Sequence, residues 1–340
     1  VERVMAGQGM DAVPKEILRA AYERKPIYLL KIPLHYGLWA GLAWVLYATQ
    51  HHRFAIPIGI VVAFTIANLI RGLGAAGHDA VHGNLSRSKT ISYWLALLCW
   101  SPSGFPVTLY ANYHLHHHKI TNTYPDVDNV VVTDYTKNPT LAKLFLFCVY
   151  TFAYPMYFLG QMLKFYMKRL TPALQLRTHL ETLGYFSLVG LAAWKMPFQV
   201  WFFCFALPFI FGAMLASVTS MIEHFEMPAT DDDAYSSRTY GTKSDFLNFL
   251  WNNVTYHNEH HKYPGIPFYN LKSFHHAAYP YYDERVKAEC YTSVLGPTFM
   301  LWGRILKLDM GKLEEKYSGL DKQKEREKML AVQGIQPGAA

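Results

Sequence analysis

TYHNEHHKYPGIPFYNL, residues 255–271, decides how the rest of the chain is read. It sets His257, His260 and His261 at i, i+3 and i+4, a spacing that brings three imidazoles onto one face of a helix. YHLHHHKITNTYPD repeats the pattern at His114, His117 and His118, and GHDAVHG places His78 and His82 four residues apart. Three imidazole clusters in a mostly apolar chain point to a histidine-rich metal centre at the edge of a membrane.

The composition agrees. Of 340 residues, 51% are hydrophobic and 17% charged, against about 25% charged in soluble domains. The net charge of +7 fits basic cytoplasmic loops facing anionic lipid. No basic patch is interleaved with a nucleic-acid-binding motif, so no nucleic-acid partner is expected. Cys99, Cys148, Cys204 and Cys290 are scattered and form no C-x-x-C pair, which argues against disulfides, an iron–sulfur cluster or a cysteine zinc site. VERVMAGQGMDAVPKE lacks the apolar core of a secretory signal.

Hydropathy divides the chain into a polar N-terminal segment (1–26), a membrane domain (27–311) and a charged helix with a disordered tail (312–340). AVPKEILRAAYERK reads as a short amphipathic helix on the membrane surface. Tyr28–Thr49 and Phe54–Ala76 each approach the ~20 residues a span requires, and the QHHR turn between them makes a hairpin. Gly72, Gly74 and Gly77 allow that second helix to pack closely on neighbours. Ile91–Val107 is short and broken by Pro102, Gly104 and Pro106, so it reads as a re-entrant or interfacial hairpin. Histidine clusters on one side require an even number of crossings between them. The basic, proline-containing stretch 141–179 is therefore assigned to the interface. Leu183–Trp194, beginning nearer His179, and Phe198–Ile222 form the second hairpin. The expected fold is an all-α integral membrane protein: about four transmembrane helices in two hairpins, interfacial helices, and a cytoplasmic helical cap holding a di-metal centre.

Eight imidazoles are enough for two metal ions. Imidazole suits Zn, Cu, Fe and Ni, so ligand type alone does not choose among them. Eight ligands exceed what one zinc needs, and Asn258 stands where the H-E-x-x-H peptidase motif requires Glu. These arguments favour iron.

HDAVH, HLHHH followed by TNTYPDVD, and YHNEHHKYPGIPFYNL together resemble the three histidine boxes of the membrane fatty acid desaturase superfamily. That superfamily includes hydroxylases and carotenoid ketolases, and the resemblance covers roughly residues 60–280. Carried over position by position, it implies His78, His82, His114, His117, His118, His257, His260 and His261 as di-iron ligands. His224, just after the last apolar run, is the ninth. Asp79, Asp126, Asp128, Glu223 and Glu259 are candidates to orient imidazoles by accepting their distal N–H. Asn252 and Asn253 are candidates to hold a metal-bound water; His116 is read as supporting the ligands or exposed, and His275 and His276 as structural or supporting, none of the three as a ligand.

The resemblance implies O2 as co-substrate and hydrogen abstraction from an unactivated C–H bond of a lipid, most simply fatty acyl desaturation. Hydroxylation or ketolation of a carotenoid, sphingolipid or other apolar substrate is the alternative within the superfamily. Outside it, the rival is a non-redox membrane metal-binding or transport protein, which would place its ligands near the bilayer midplane. No haem domain or G-x-G-x-x-G fingerprint is present, so electrons are expected from a separate donor: ferredoxin, rubredoxin or cytochrome b5. Arg87, Lys89, Lys119 and Lys262 lie near the boxes as a basic face for it. The expected location is a bacterial inner membrane with the boxes cytoplasmic, the endoplasmic reticulum being the alternative.

Overall fold

A computed structural model describes residues 9–123, 126, 128–230, 232–309 and 311. The helices, in order, begin with α1 (Lys15–Ala21), α2 (Lys31–Thr49), α3 (Ala55–Val81), α4 (Lys89–Trp100) and α5 (Val107–Ile120). There follow α6 (Pro139–Cys148), α7 (Tyr154–Phe165), α8 (Pro172–Lys195), α9 (Phe198–Trp201) and α10 (Leu207–His224). The last are α11 (Asp245–Leu250), α12 (His257–Lys262), α13 (Phe268–Ala278), α14 (Glu284–Ala288) and α15 (Leu295–Leu306). Among the described residues the only β feature is an isolated Thr239–Cys290 bridge.

Helix α3 is the axis of the molecule. Its 27 residues rise about 40 Å, longer than the ~30 Å hydrocarbon layer, so its end carries His78 and His82 toward water. Gly72 is required by close approach: a Cβ there would lie 2.1 Å from the Leu250 carbonyl oxygen and 2.7 Å from His35 Nε2. The Gly72 carbonyl in turn accepts from Asn252 Nδ2 at 2.7 Å, which pins the α11 segment against α3. At Gly77 the Trp100 backbone nitrogen would sit 3.1 Å from such a Cβ.

Helix α4 has 12 residues, about 18 Å and too short to cross. Gly104, at φ 78°, turns the chain, and α5 returns with Trp100 stacked on Tyr110 at 3.9 Å. This is the short hairpin expected, as re-entrant or interfacial, from the prolines and glycine.

Four segments are long and apolar enough to cross a membrane: 26–49, 55–81, 139–169 and 198–224. Residues 139–169 form a helical stretch that is bent at a π-helical turn, Val149–Ala153. Phe145 and Tyr157 bring their rings to 6.4 Å, and Tyr135 stacks on Phe145 while its hydroxyl takes a hydrogen bond from Gln161. A straight helix would separate positions twelve apart by about 18 Å. The far end returns to the second histidine box, where the Tyr166 hydroxyl is 2.7 Å from His116 Nδ1. His117 and His224 are neighbours, with ring centroids 5.0 Å apart, so the chain between them crosses an even number of times. Helix α8, 24 residues long, pairs with 198–224 across the Met196–Pro197 turn, tied by Trp201 Nε1 to the Val189 carbonyl at 3.2 Å. The expected boundary at about 179 is corrected: Thr171 caps the helix and Pro172 starts it, because capping chemistry, not hydropathy, sets its first turn. Glu181 fastens α8 to the α4–α5 hairpin, accepting from the Thr108 backbone N–H at 2.9 Å and the Tyr93 hydroxyl at 2.9 Å.

Helices α11 to α15 form the cap over the ends of the spans. Helix α1 packs on this cap. Asn270 Nδ2 donates to the Ala21 and Glu23 carbonyls at 2.8 and 2.7 Å, and Val13 and Ala21 join the buried cluster of Ile266 and Phe274. The charged segment 312–340 and most of the first ten residues lie outside the described residues.

Candidate metal centre

The three histidine boxes arrive on three elements. The C-terminal end of α3 carries His78 and His82, α5 carries His114, His117 and His118, and α12 carries His257, His260 and His261. His224 closes α10. Their ring nitrogens converge as two groups. One nitrogen from each of His78, His82, His114, His118 and His260 lies within 4.8 Å of all the others. Within that group, His114 Nε2 is 2.9 Å from His82 Nε2 and 3.0 Å from His118 Nε2, and His260 Nε2 is 3.1 Å from His118 Nε2. His117, His224 and His261 form the second group. His257 Nε2 joins it at 3.0 Å from His224 Nε2 and 3.1 Å from His261 Nε2.

A neutral imidazole carries one N–H and one lone pair. So many Nε2 atoms facing one another cannot all be satisfied by mutual hydrogen bonds, and a cation shared by their lone pairs resolves the conflict. The donor set is nitrogen only, so the residues present fit late first-row divalent metals and not Ca or Mg.

The surrounding carboxylates differ in what they hold. Asp126, buried, accepts from His117 Nδ1 at 2.9 and 3.0 Å, fixing the tautomer that leaves Nε2 toward the cluster. Asp128 Oδ2 stands 3.3 Å from the same Nδ1. Burial opposes charge on His117, but these two carboxylates outweigh it and hold its pKa up to about 9. His114, His118, His257, His260 and His261 are pushed well below the usual imidazole range by burial and then by one another.

The other expected contacts are made elsewhere. Asp79 accepts from Asn84 Nδ2 at 2.6 Å and from the Phe268 backbone N–H at 3.1 Å, tying α3 to α13. Glu259 accepts from His275 Nδ1 and Thr239 Oγ1, both at 2.5 Å, and from the Tyr282 hydroxyl at 3.1 Å. It therefore anchors α12 from the side opposite the cluster. Asn253 donates to the Phe268 carbonyl at 3.0 Å and Asn252 to Gly72, so their amide groups hold backbone. Their positive φ angles, 53° and 55°, suit Asn in a tight turn. Lys262 is paired with Asp11 and Asp232 at 2.8 and 2.9 Å, while Arg87, Lys89 and Lys119 are exposed. His116 leaves the cluster for Tyr166.

One feature was missed. Arg71 is the only charged residue in the apolar run of α3 before the first box, and its Nη2 donates to Glu223 Oε1 at 3.1 Å. The signal was available, because a lone charge within a span is a functional marker. A cavity of about 190 Å³ begins at His78, His114, His117, His224 and His257 and runs between α3, α5, α7 and α10. It reaches Pro208 at the far end of α10, about 24 Å from His224 at helical rise. Its lower walls include Ala67, Phe105, Phe158, Phe209, Gly212 and Ala213.

Fold and site together define an integral membrane helix bundle with a polyhistidine centre opening onto an apolar cavity. The fatty acid desaturase family matches residues 53–292, and the chain belongs to that family. It is 24% identical over 299 residues to an sn-1 acyl-lipid omega-3 desaturase (ferredoxin) of Synechocystis sp., covering 81% of this chain and 80% of the relative. It is 31% identical over 237 residues to the human sphingolipid delta(4)-desaturase/C4-monooxygenase DES2, covering 66% of each.

Proposed function

We propose that the protein is an O2-dependent di-iron enzyme that desaturates a hydrocarbon chain of a lipid. The observation that carries this reading is the meeting of nine imidazoles, in two groups, with one end of an apolar cavity. His78, His82, His114, His118 and His260 would hold one iron, and His117, His224, His257 and His261 the other. The chemistry supplied there is reduction of O2 by two donor electrons and two substrate hydrogens, giving an alkene and two waters with two protons from solvent.

The chain's own residues do the rest. Asp126 keeps the His117 proton on Nδ1. The α10 wall of Gly212, Ala213 and Ala216 leaves room for a hydrocarbon beside α3. The aromatic rings of Phe105, Phe158 and Phe209 exclude water, and holding one C–C unit at the imidazole end selects the carbons attacked. Ferredoxin is the favoured donor because the cyanobacterial relative's name specifies it. The membrane domain 27–311 is the functional unit, placed in a bacterial inner membrane with the boxes on the cytoplasmic side.

Hydroxylation is the second reading, favoured by the monooxygenase activity in the human relative's name. Expression with a ferredoxin system under 18O2, followed by mass spectrometry of total lipids, separates the two. An unlabelled alkene is expected, an 18O-labelled alcohol establishes the hydroxylase, and no O2-dependent lipid product rejects both.

A further inference from the structure

Arg71 and Glu223 have no part in holding the metal centre described above, yet both line the cavity beside it. Arg71 lies two helical turns from His78 on the same face of α3, about 10 Å away. About 22% of its side-chain surface is accessible, and its Nε is buried without a partner among the described residues. Glu223 Oε1 is taken, accepting from Arg71 at 3.1 Å and from the Tyr240 hydroxyl at 2.6 Å. Its Oε2 has no hydrogen-bond donor among the described residues, the nearest group being His257 Nε2 at 4.0 Å. Part of the Arg71 side chain and the Glu223 carboxylate, with Oε2 unsatisfied, thus line the cavity within one side chain of the cluster.

Setting an ion pair into this wall costs desolvation that an apolar pair would avoid. A plain acyl chain, with its polar groups far from the reacting carbons, would recover none of that cost. We propose that Arg71 and Glu223 bind a hydroxyl or amide group that the substrate carries within a few bonds of the carbons oxidised. A hydroxyl would accept from the guanidinium and donate to Glu223 Oε2, while the hydrocarbon tail fills the apolar cavity toward Pro208. The preferred lipid is then an N-acylated long-chain amino alcohol, not a glycerolipid acyl chain attacked far from its ester. This specificity rests on the lipid-oxidation reading above.

The test compares N-octanoylsphinganine with its analogue lacking the secondary hydroxyl, on the full-length protein as purified in detergent, by tryptophan fluorescence titration. A hydrogen bond to a charged group is worth on the order of tenfold or more in affinity, so the hydroxylated lipid should bind at least about tenfold more tightly. Arg71→Met should bring the two within about twofold. Equal affinities in the wild-type protein overturn the proposal and need no variant to fold. A preference that survives in both Arg71→Met and Glu223→Gln also overturns it. Oxidation of phosphatidylcholine chains with no response to the hydroxylated lipid rejects this specificity and leaves lipid oxidation standing. Hydroxyl-selective binding without O2-dependent oxidation of any lipid upholds the binding site and removes the reading on which the reaction rests.

Discussion

Replacing Asp126 with Asn changes one atom at the carboxylate that, alone among the described residues, holds a ring N–H of the cluster at hydrogen-bond distance on both oxygens. Those oxygens also accept from the Asn122 and Asp128 backbone N–H groups at 2.8 and 3.1 Å. Whichever way the amide turns, its NH2 faces a backbone donor, and the charge assisting the His117 bond is gone. Loss of such an orienting partner costs about 10- to 100-fold in metal affinity, or about 1.4–2.8 kcal/mol. A second effect has the opposite sign. Asp126 helps hold the His117 proton up to about pH 9, and that proton competes with metal. Near pH 7 the variant relieves part of this competition, whereas near pH 9 the orienting loss appears in full. Anaerobic ferrous titration of the stripped protein against a chromophoric chelator should show one of two binding events weakened, more at pH 9 than at pH 7. The event assigned to the five-histidine group should stay within about twofold. Equal weakening of both, or none at pH 9, would refute the role given to Asp126.

Further outcomes follow from packing and titration. Gly72→Ala drives a Cβ to 2.1 Å from a backbone carbonyl, so it should cost at least about 3 kcal/mol and yield aggregate in detergent chromatography; Gly74→Ala, 3.6 Å from the Trp100 ring, should elute as wild type. Glu181→Ala leaves the Thr108 N–H and the Tyr93 hydroxyl without their acceptor and should cost about 1–3 kcal/mol of stability, read as a fall in Tm. Burial pushes His82 and His116 down to about 4, below the ~6.5 of an unfolded imidazole. Their contribution is complete above about pH 6.5 and lost as pH falls toward 4. His117, held high, contributes below about 6.5 and loses that as pH rises toward 9. The Tm of metal-free protein should therefore peak near neutrality and fall on the acid side; a Tm rising from pH 7 to 5 would contradict the signs.

The histidine boxes were legible because i, i+3, i+4 spacing is local, and a helix converts it directly into a shared face. The first hairpin and the short α4–α5 turn were legible from run length and from Pro102, Gly104 and Pro106. Tertiary partners were not. Glu259 sits between ligand-spaced histidines, yet its partner is His275, sixteen residues on, because the middle residue of the box points away from the cluster. Asn253 looked like a water holder from sequence proximity, but the turn that makes its φ positive aims its amide at Phe268. The segment 139–169 is apolar enough to span, and only the Phe145–Tyr157 and His116–Tyr166 contacts reveal that it bends and ends beside the second box. Arg71 went unread because its partner Glu223 lies on another helix, 152 residues away.

The central claim is that two metal ions, both iron, are held by two separable groups of imidazoles. Elemental analysis of protein purified in detergent, beside His260→Ala and His224→Ala, tests it most directly. About two irons per chain are expected in the wild type and about one in each variant. A single zinc, or a metal content that neither substitution changes, would contradict it.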